Sequence, residues 1–355
     1  MTRSGGLLIG LAFWILSCGS VAELSRETYI PPSSPPFHGE KIGEFRIESM
    51  STGEPVVLDP VHTAWLSGKG EILIFNHREN DMAQVIKGKD PITGFAYRDG
   101  NFVWTEVNRD KNVVRFSNDL TEEVWRITSG SYAAPPLIAD SLCLLAQVNG
   151  RINAVGYDSG KVHWTEKLSG RIFTSPLVDD STYFVSTDAG HLYALHVETG
   201  AILWEVRIEA PVWVMSLDDR ALYLGTYQGE FVAVDRSEHT IRWRVQSESQ
   251  VRNRPLITTE YLYWTNTGGE VYRIRKATGE YTRLTRLIVP IAGAPARTDR
   301  GLLLSGLDKV LYHLDSETGE VLQKIELEGR LRSTPLYMRN RWIVAMEDHW
   351  IYALE

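Results

Sequence analysis

The chain has 355 residues and a formal net charge of −8, with 43% hydrophobic and 23% charged residues. That balance suits a folded globular protein and excludes general nucleic-acid binding, which needs a basic surface. Two cysteines exclude a scaffold built on disulfides.

In chain order, the first segment is an export signal. Arg3 precedes an apolar run from Leu7 to Leu16, followed by small residues. Ten apolar residues are too few to span a bilayer, so residues 1–22 read as a secretory signal peptide. Two processing sites compete. Ile15-Leu16-Ser17-Cys18 resembles a lipobox, in which Cys18 would be acylated and anchor the protein to a membrane. Gly19 after the cysteine then favours the outer membrane. Ser20-Val21-Ala22 before Glu23 fits ordinary secretion. Residues 23–41 hold Pro31-Pro32-Ser33-Ser34-Pro35-Pro36, a composition that forms a semi-rigid extended tether rather than a core.

From residue 42 to residue 355 the chain repeats itself about every forty residues. A proline opens an apolar strand at Pro136, Pro176, Pro255, Pro295 and Pro335, with Ser216 in that slot once. Glycines recur at Gly150, Gly190, Gly229 and Gly269. Tryptophans recur at Trp125, Trp164, Trp204 and Trp243, four residues after a turn glycine in Gly160–Trp164 and Gly200–Trp204. Within each unit, short apolar runs such as Leu192–Leu195 and Val232–Val234 lie between turn residues, which is strand and hairpin punctuation. About four short strands per forty residues describe a propeller blade.

Openings near Pro60, Pro91, Pro136, Pro176, Ser216, Pro255, Pro295 and Pro335 predict an all-β, eight-bladed propeller of four-stranded blades. The last unit stops at Leu354-Glu355, one strand short. Gly43-Glu44-Phe45-Arg46-Ile47 resembles Gly319-Glu320-Val321-Leu322-Gln323, so this N-terminal strand is expected to complete the last blade and close the ring.

The glycine-to-tryptophan spacing resembles the tryptophan-docking repeat of quinoprotein (PQQ-like) β-propellers, most clearly over residues 120–250; Arg283 and Gln323 later take the tryptophan slot. The resemblance implies that Trp125, Trp164, Trp204 and Trp243 wedge between blades. It also raises a quinone-dependent oxidoreductase. Those enzymes are longer, hold calcium beside a catalytic aspartate, and often carry a vicinal Cys-Cys. This chain has no Cys-Cys and only short connections between units, so no catalytic, cofactor-binding or metal-binding residues are assigned. Cys143 sits in the apolar Leu142–Leu145 and reads as a buried thiol.

An exported, tethered propeller without quinone equipment resembles the BamB-type lipoproteins of the outer-membrane β-barrel assembly machinery. That resemblance implies a non-catalytic, monomeric scaffold in the periplasm, lipid-anchored at the outer membrane, with a β-barrel assembly protein as partner. In that family a Leu-x-Leu-Arg stretch contacts the partner. Here Leu168-Ser169-Gly170-Arg171 keeps the first leucine and the arginine, with glycine replacing the second leucine. The residues leading into successive inner strands carry Arg171, Arg252, Arg254, Arg330 and Arg332, and Trp213 occupies a similar position. Leu168, Arg171, Arg252, Arg254, Arg332 and Trp213 are therefore the candidate partner contacts, on one locally basic rim. The alternative is a small-molecule or glycan site at the channel mouth.

Overall fold

A computed structural model describes residues 37–47, 51–98, 101–107, 111–116, 123–347 and 350–355. The signal peptide, Cys18 and the proline-rich run to Pro36 lie outside the described residues. The described strands form eight four-stranded antiparallel sheets, the blades of a propeller. Numbered in chain order, sheets 1 to 7 span residues 51–87, 92–129, 137–167, 177–207, 212–246, 256–286 and 291–326. Sheet 8 combines Leu336–Met338, Arg341–Ala345 and Trp350–Leu354 with the N-terminal strand Lys41–Arg46. Among the described residues no helix is long and apolar enough to cross a membrane.

The cores show how the sheets are arranged. Each apolar cluster lies between two neighbours, as Leu144 and Ile152 of sheet 3 meet Val178 and Tyr183 of sheet 4. The same holds around the circle, and the last cluster joins Ile343 and Ala353 of sheet 8 to Trp65 and Leu73 of sheet 1. A middle strand is covered on both faces, so Leu142–Ala146 and Ala221–Thr226 are buried at every position. An outer strand has one solvent face, and Val321–Glu326 alternates between half-buried and exposed.

Ring closure runs through the N-terminal strand, with Gly43 opposite Ala353 and Arg46 opposite Trp350. The predicted register is displaced by four residues. Gly39, at positive φ, donates its N–H to Glu355 O as Gly319 does to Asp315 O. Gly39 is thus the counterpart of Gly319, and Gly43 that of Gln323, which faces His313 as Gly43 faces Ala353. The packed region also begins before residue 41. Phe37 is buried, edge-on to His313 at 5.3 Å and to Trp342 at 6.3 Å.

Three of the proline landmarks move. In the regular sheets the proline stands three residues before the turn, as Pro176 does before Asp179 paired with Thr182. By that register the first-sheet proline is Pro55, since Leu58 bonds to His62, and Pro60 falls in the following turn. In sheet 2 the slot holds Phe95, counted back from Arg98 opposite Asn101, and Pro91 precedes the strand. In sheet 5 Asp218 bonds to Ala221, which places Met215 in the slot and Ser216 one position later. Spacing by eye drifts wherever a β-bulge or a longer turn adds a residue.

The repeat tryptophans dock on the next sheet. Trp125 Nε1 donates to Tyr157 O at 2.7 Å, Trp164 Nε1 to Val197 O at 2.7 Å and Trp243 Nε1 to Lys276 O at 2.9 Å. Each ring lies over the turn glycine of that neighbour. A Cβ at Gly160 would stand 2.8 Å from Trp125 Cγ, and one at Gly279 2.6 Å from Trp243 Cγ. Glycine serves there twice, by tolerating φ of +64° and by leaving room for the indole. Sheet 5 has His239 in the glycine position, at φ +55°, and its imidazole stacks on Trp204 at 4.9 Å.

Candidate functional site

In an antiparallel four-stranded sheet, the loop leading into the first strand lies at the same end as the hairpin between the second and third strands. The hydrogen bonds show this. Arg171 N donates to Asp188 Oδ1 at 2.7 Å, and Asp188 N donates back to Arg171 O. Likewise Glu347 N donates to Arg330 O, Thr267 N to Gln250 O and Tyr227 N to Pro211 O. Arg171, Trp213, Arg252, Arg330 and Arg332 therefore emerge on one face of the ring.

That face is less basic than its arginines suggest. Arg171 Nε donates to Asp188 Oδ2 at 2.9 Å, and Arg332 Nη2 to Glu347 Oε1 at 2.8 Å. The Arg171 backbone N–H, then its side chain, holds the Asp188 carboxyl below its usual range; Arg332 does the same to Glu347. Exposed pairs of this kind contribute little stability, roughly 0–1 kcal/mol, but they cancel charge.

Of the predicted contacts, Leu168 is buried and Arg254 half-buried. Leu168 is buried between sheets 3 and 4, its N–H bonded to Gly150 O, and it is a core residue. The following Gly170 adopts φ +92°, where a Cβ would stand 2.9 Å from Ala189 Cβ, so a leucine does not fit there. Arg254 precedes Pro255 as Glu54 precedes Pro55. Its charge acts on Glu54, whose carboxylate accepts from Thr334 N at 2.8 Å and Thr334 Oγ1 at 3.0 Å. Burial pushes the Glu54 carboxyl up, against these bonds and the Arg254 charge.

What stands out on the face is an aromatic and arginine cluster over sheets 4, 5 and 6. Trp213 is 44% exposed, with Arg252 over its ring at 4.3 Å and Tyr227 at 5.8 Å. Arg252 also donates to Gln250 Oε1 at 2.7 Å. One sheet back, Arg171 lies 4.9 Å from the exposed Phe173 ring. One sheet ahead, the lead-in to sheet 7 presents Ile288, fully exposed. Phe173, Tyr227 and Ile288 were not singled out from sequence. Ile288 was legible, since Leu287-Ile288-Val289 is apolar where the corresponding lead-ins carry Glu209, Glu248 and Glu328. Among the described residues no group of three or more His, Cys, Asp or Glu is placed to hold a metal. Cys143 is buried.

Comparison with known proteins bears on the fold and the repeat. A family model described as "Outer membrane protein assembly factor BamB" matches residues 109–215 and 208–283. The outer membrane protein assembly factor BamB of Legionella pneumophila (strain Paris) is 27% identical over 120 residues. That match covers 34% of this chain and 31% of the relative, so it spans about a third of each length. The crystal structure of BamB from Moraxella catarrhalis superposes with a TM-score of 0.71 at 17% identity, covering 89% of this chain and 99% of that one. The computationally designed Ika8 protein gives 0.73 at 12% identity, with the same coverages. Likeness at these identities is a likeness of fold. The chain is a β-propeller that resembles the PQQ-like, BamB-type proteins.

Proposed function

We propose that this protein is a non-catalytic propeller scaffold of the bacterial envelope. It docks a periplasmic domain of an outer-membrane β-barrel assembly protein through the face bearing Arg171, Phe173, Trp213, Tyr227 and Arg252. The observation that carries this reading is the exposed Trp213, held between Arg252 and Tyr227. Tryptophan, tyrosine and arginine are the residue types that concentrate binding energy at protein interfaces. Their side chains here are pre-ordered by contacts with one another, which lowers the entropy cost of binding. Ile288 extends the apolar area towards sheet 7. The similarity to BamB-type proteins supplies the class of partner.

In this reading the propeller acts as a monomer, residues 1–22 direct export, and Cys18 carries the lipid that holds it at the periplasmic side of the outer membrane. The proline-rich segment gives the ring reach from that surface.

The test is crosslinking and affinity recovery of the tagged full-length protein from native membranes, with partners identified by mass spectrometry. Recovery of an outer-membrane β-barrel with periplasmic domains is expected. Trp213→Ala with Arg252→Glu should weaken it by roughly 2 kcal/mol or more, about thirtyfold in affinity. Undiminished recovery by that variant removes this face from the mechanism. Absence of any membrane partner removes the scaffold reading.

A further inference from the structure

The opposite face of the ring carries a cleft of about 320 Å3 at the junction of sheets 8 and 1. One wall is the sheet 1 hairpin, with His77, Arg78 and Asn80; the other is the sheet 8 hairpin, with Arg339, Asn340 and Arg341. Ile42 and Glu355 complete the lining. Three guanidinium groups thus face one carboxylate residue.

Only one of the three is fixed in place. Arg341 Nη2 donates to His77 O and, at 2.7 Å, to Asn80 Oδ1. Among the described residues the exposed side chains of Arg78 and Arg339 have no ion-pair partner. Two buried polar atoms on the lining residues also lack a hydrogen-bond partner: His77 Nδ1 and Arg341 Nε. His77 is 1% exposed, and its Nε2 is engaged with Thr63 Oγ1 at 2.7 Å. A buried donor or acceptor without a partner costs about 1–3 kcal/mol. Burial, then the charges of Arg341, His62 and Arg339, hold the His77 imidazole down to about 3. Burial and Arg339 also lower Arg341.

We infer that this cleft binds a phosphoryl group, carried by a small phosphate ester or by a lipid headgroup. A carboxylate brings one negative charge and two coplanar oxygens, which a single guanidinium matches. Three guanidiniums around one cleft match a group with charge near −2 and oxygens pointing in several directions. Ile42 is 48% exposed on the lining and offers a contact for the carbon side of an ester. The volume falls at the small end of ligand sites. The chain's net charge of −8 opposes general attraction to anionic surfaces, so capture would be local to this cleft. The inference does not depend on the docking face proposed above.

The experiment uses the full chain and the variant Arg78→Glu with Arg339→Glu, whose side chains are exposed and unpaired among described residues, so its melting temperature should match the wild type. Arg341 is left intact because it ties the two hairpins together. Calorimetric titration with glycerol 3-phosphate and inorganic phosphate should show one saturable site, weakened about tenfold or more in the variant. Co-sedimentation with phosphatidylglycerol vesicles distinguishes the sources. Vesicle binding lost in the variant, without binding of the soluble esters, assigns the group to a lipid headgroup. Acetate binding as tightly as phosphate overturns the phosphoryl assignment. Binding unchanged in the variant, or absent with every probe, overturns the site.

Discussion

Two arcs of the ring solve the same packing problem differently. Sheets 2 to 5 carry Trp125, Trp164, Trp204 and Trp243 at one position of the outer strand. At the matching position sheets 6, 7, 8 and 1 carry Arg283, Gln323, Gly43 and Gln84. In the first arc an indole fills the gap, and Trp125, Trp164 and Trp243 each donate one bond to the neighbouring turn while Trp204 stacks on His239. In the second arc Arg283 and Gln323 make polar bonds instead, and Gly43 brings no side chain. Arg283 Nη1 donates to Glu270 Oε1 at 2.7 Å, and that carboxylate is fully buried. Gln323 Nε2 donates to His38 O at 2.9 Å, across the point where the chain's two ends meet. The tryptophan arc rests on apolar burial, which is insensitive to salt and pH. The other arc rests on charge and hydrogen bonding, and it contains the ring closure.

The largest break should come at that closure. Deleting residues 37–47 removes Phe37, Phe45 and Ile47 from two inter-sheet cores and leaves Trp350–Leu354 paired on one edge only, with Arg341–Ala345. The loss should exceed about 5 kcal/mol, the scale of one large core truncation, and abolish cooperative unfolding. Deleting residues 23–36 should leave the melting curve unchanged. Equal melting temperatures for the two truncations would show that the strand does not lock the ring.

A direct contrast of the arcs comes next. Trp164→Ala should cost about 3–5 kcal/mol in denaturant titrations, with no dependence on salt. Arg283→Ala should cost less, about 1–3 kcal/mol, because Arg283 is half exposed while Asn266 and Tyr272 still bond the stranded Glu270. Raising the salt should narrow the gap between wild type and the arginine variant only.

The polar arc also carries a histidine whose titration should be visible. His77 is held neutral in the fold at a value of about 3, whereas an unfolded histidine takes its proton near 6.5. The folded value is depressed, so stability is full above about 6.5 and falls as pH drops towards 3. The deficit for this one group should reach roughly 4 kcal/mol. It should appear as the difference between wild type and His77→Asn across that window, and a constant difference would show that His77 is not the group responsible.

The smallest effect belongs to His239→Gly. It relieves a histidine held at φ +55° and opens the turn to Trp204, at the loss of a stacked ring pair. A net gain of about 0.5 kcal/mol is expected by thermal unfolding, since the backbone relief outweighs an exposed stacking contact.

The repeat was legible because a blade is written locally: period-two strands, turn glycines and one large residue per outer strand. Four tryptophans about forty residues apart identify their own docking role through the turn glycines that they accompany. The closing strand is legible as well, but four residues out of register, because Gly39 stands before it and Gly43 within it, and only the positive φ of Gly39 marks the counterpart of Gly319. The functional face was legible only in part. The arginines were visible as a series, but Asp188 and Glu347 neutralise two of them through contacts between separate turns. Leu168 could not be recognised as a core residue without the neighbouring sheet, nor Phe173 and Tyr227 as exposed. The cleft of Arg78, Arg339 and Arg341 was invisible, since its two hairpins are some 260 residues apart in the chain. Sequence by itself therefore determined the strands and the sheets formed by consecutive strands, which rest on contacts within about forty residues; the pairing of Lys41–Arg46 with Trp350–Leu354 spans the whole chain. Only the tertiary structure decided which charges stay free, which aromatic rings meet solvent and what the seam encloses, because those depend on which turns the closed ring brings side by side.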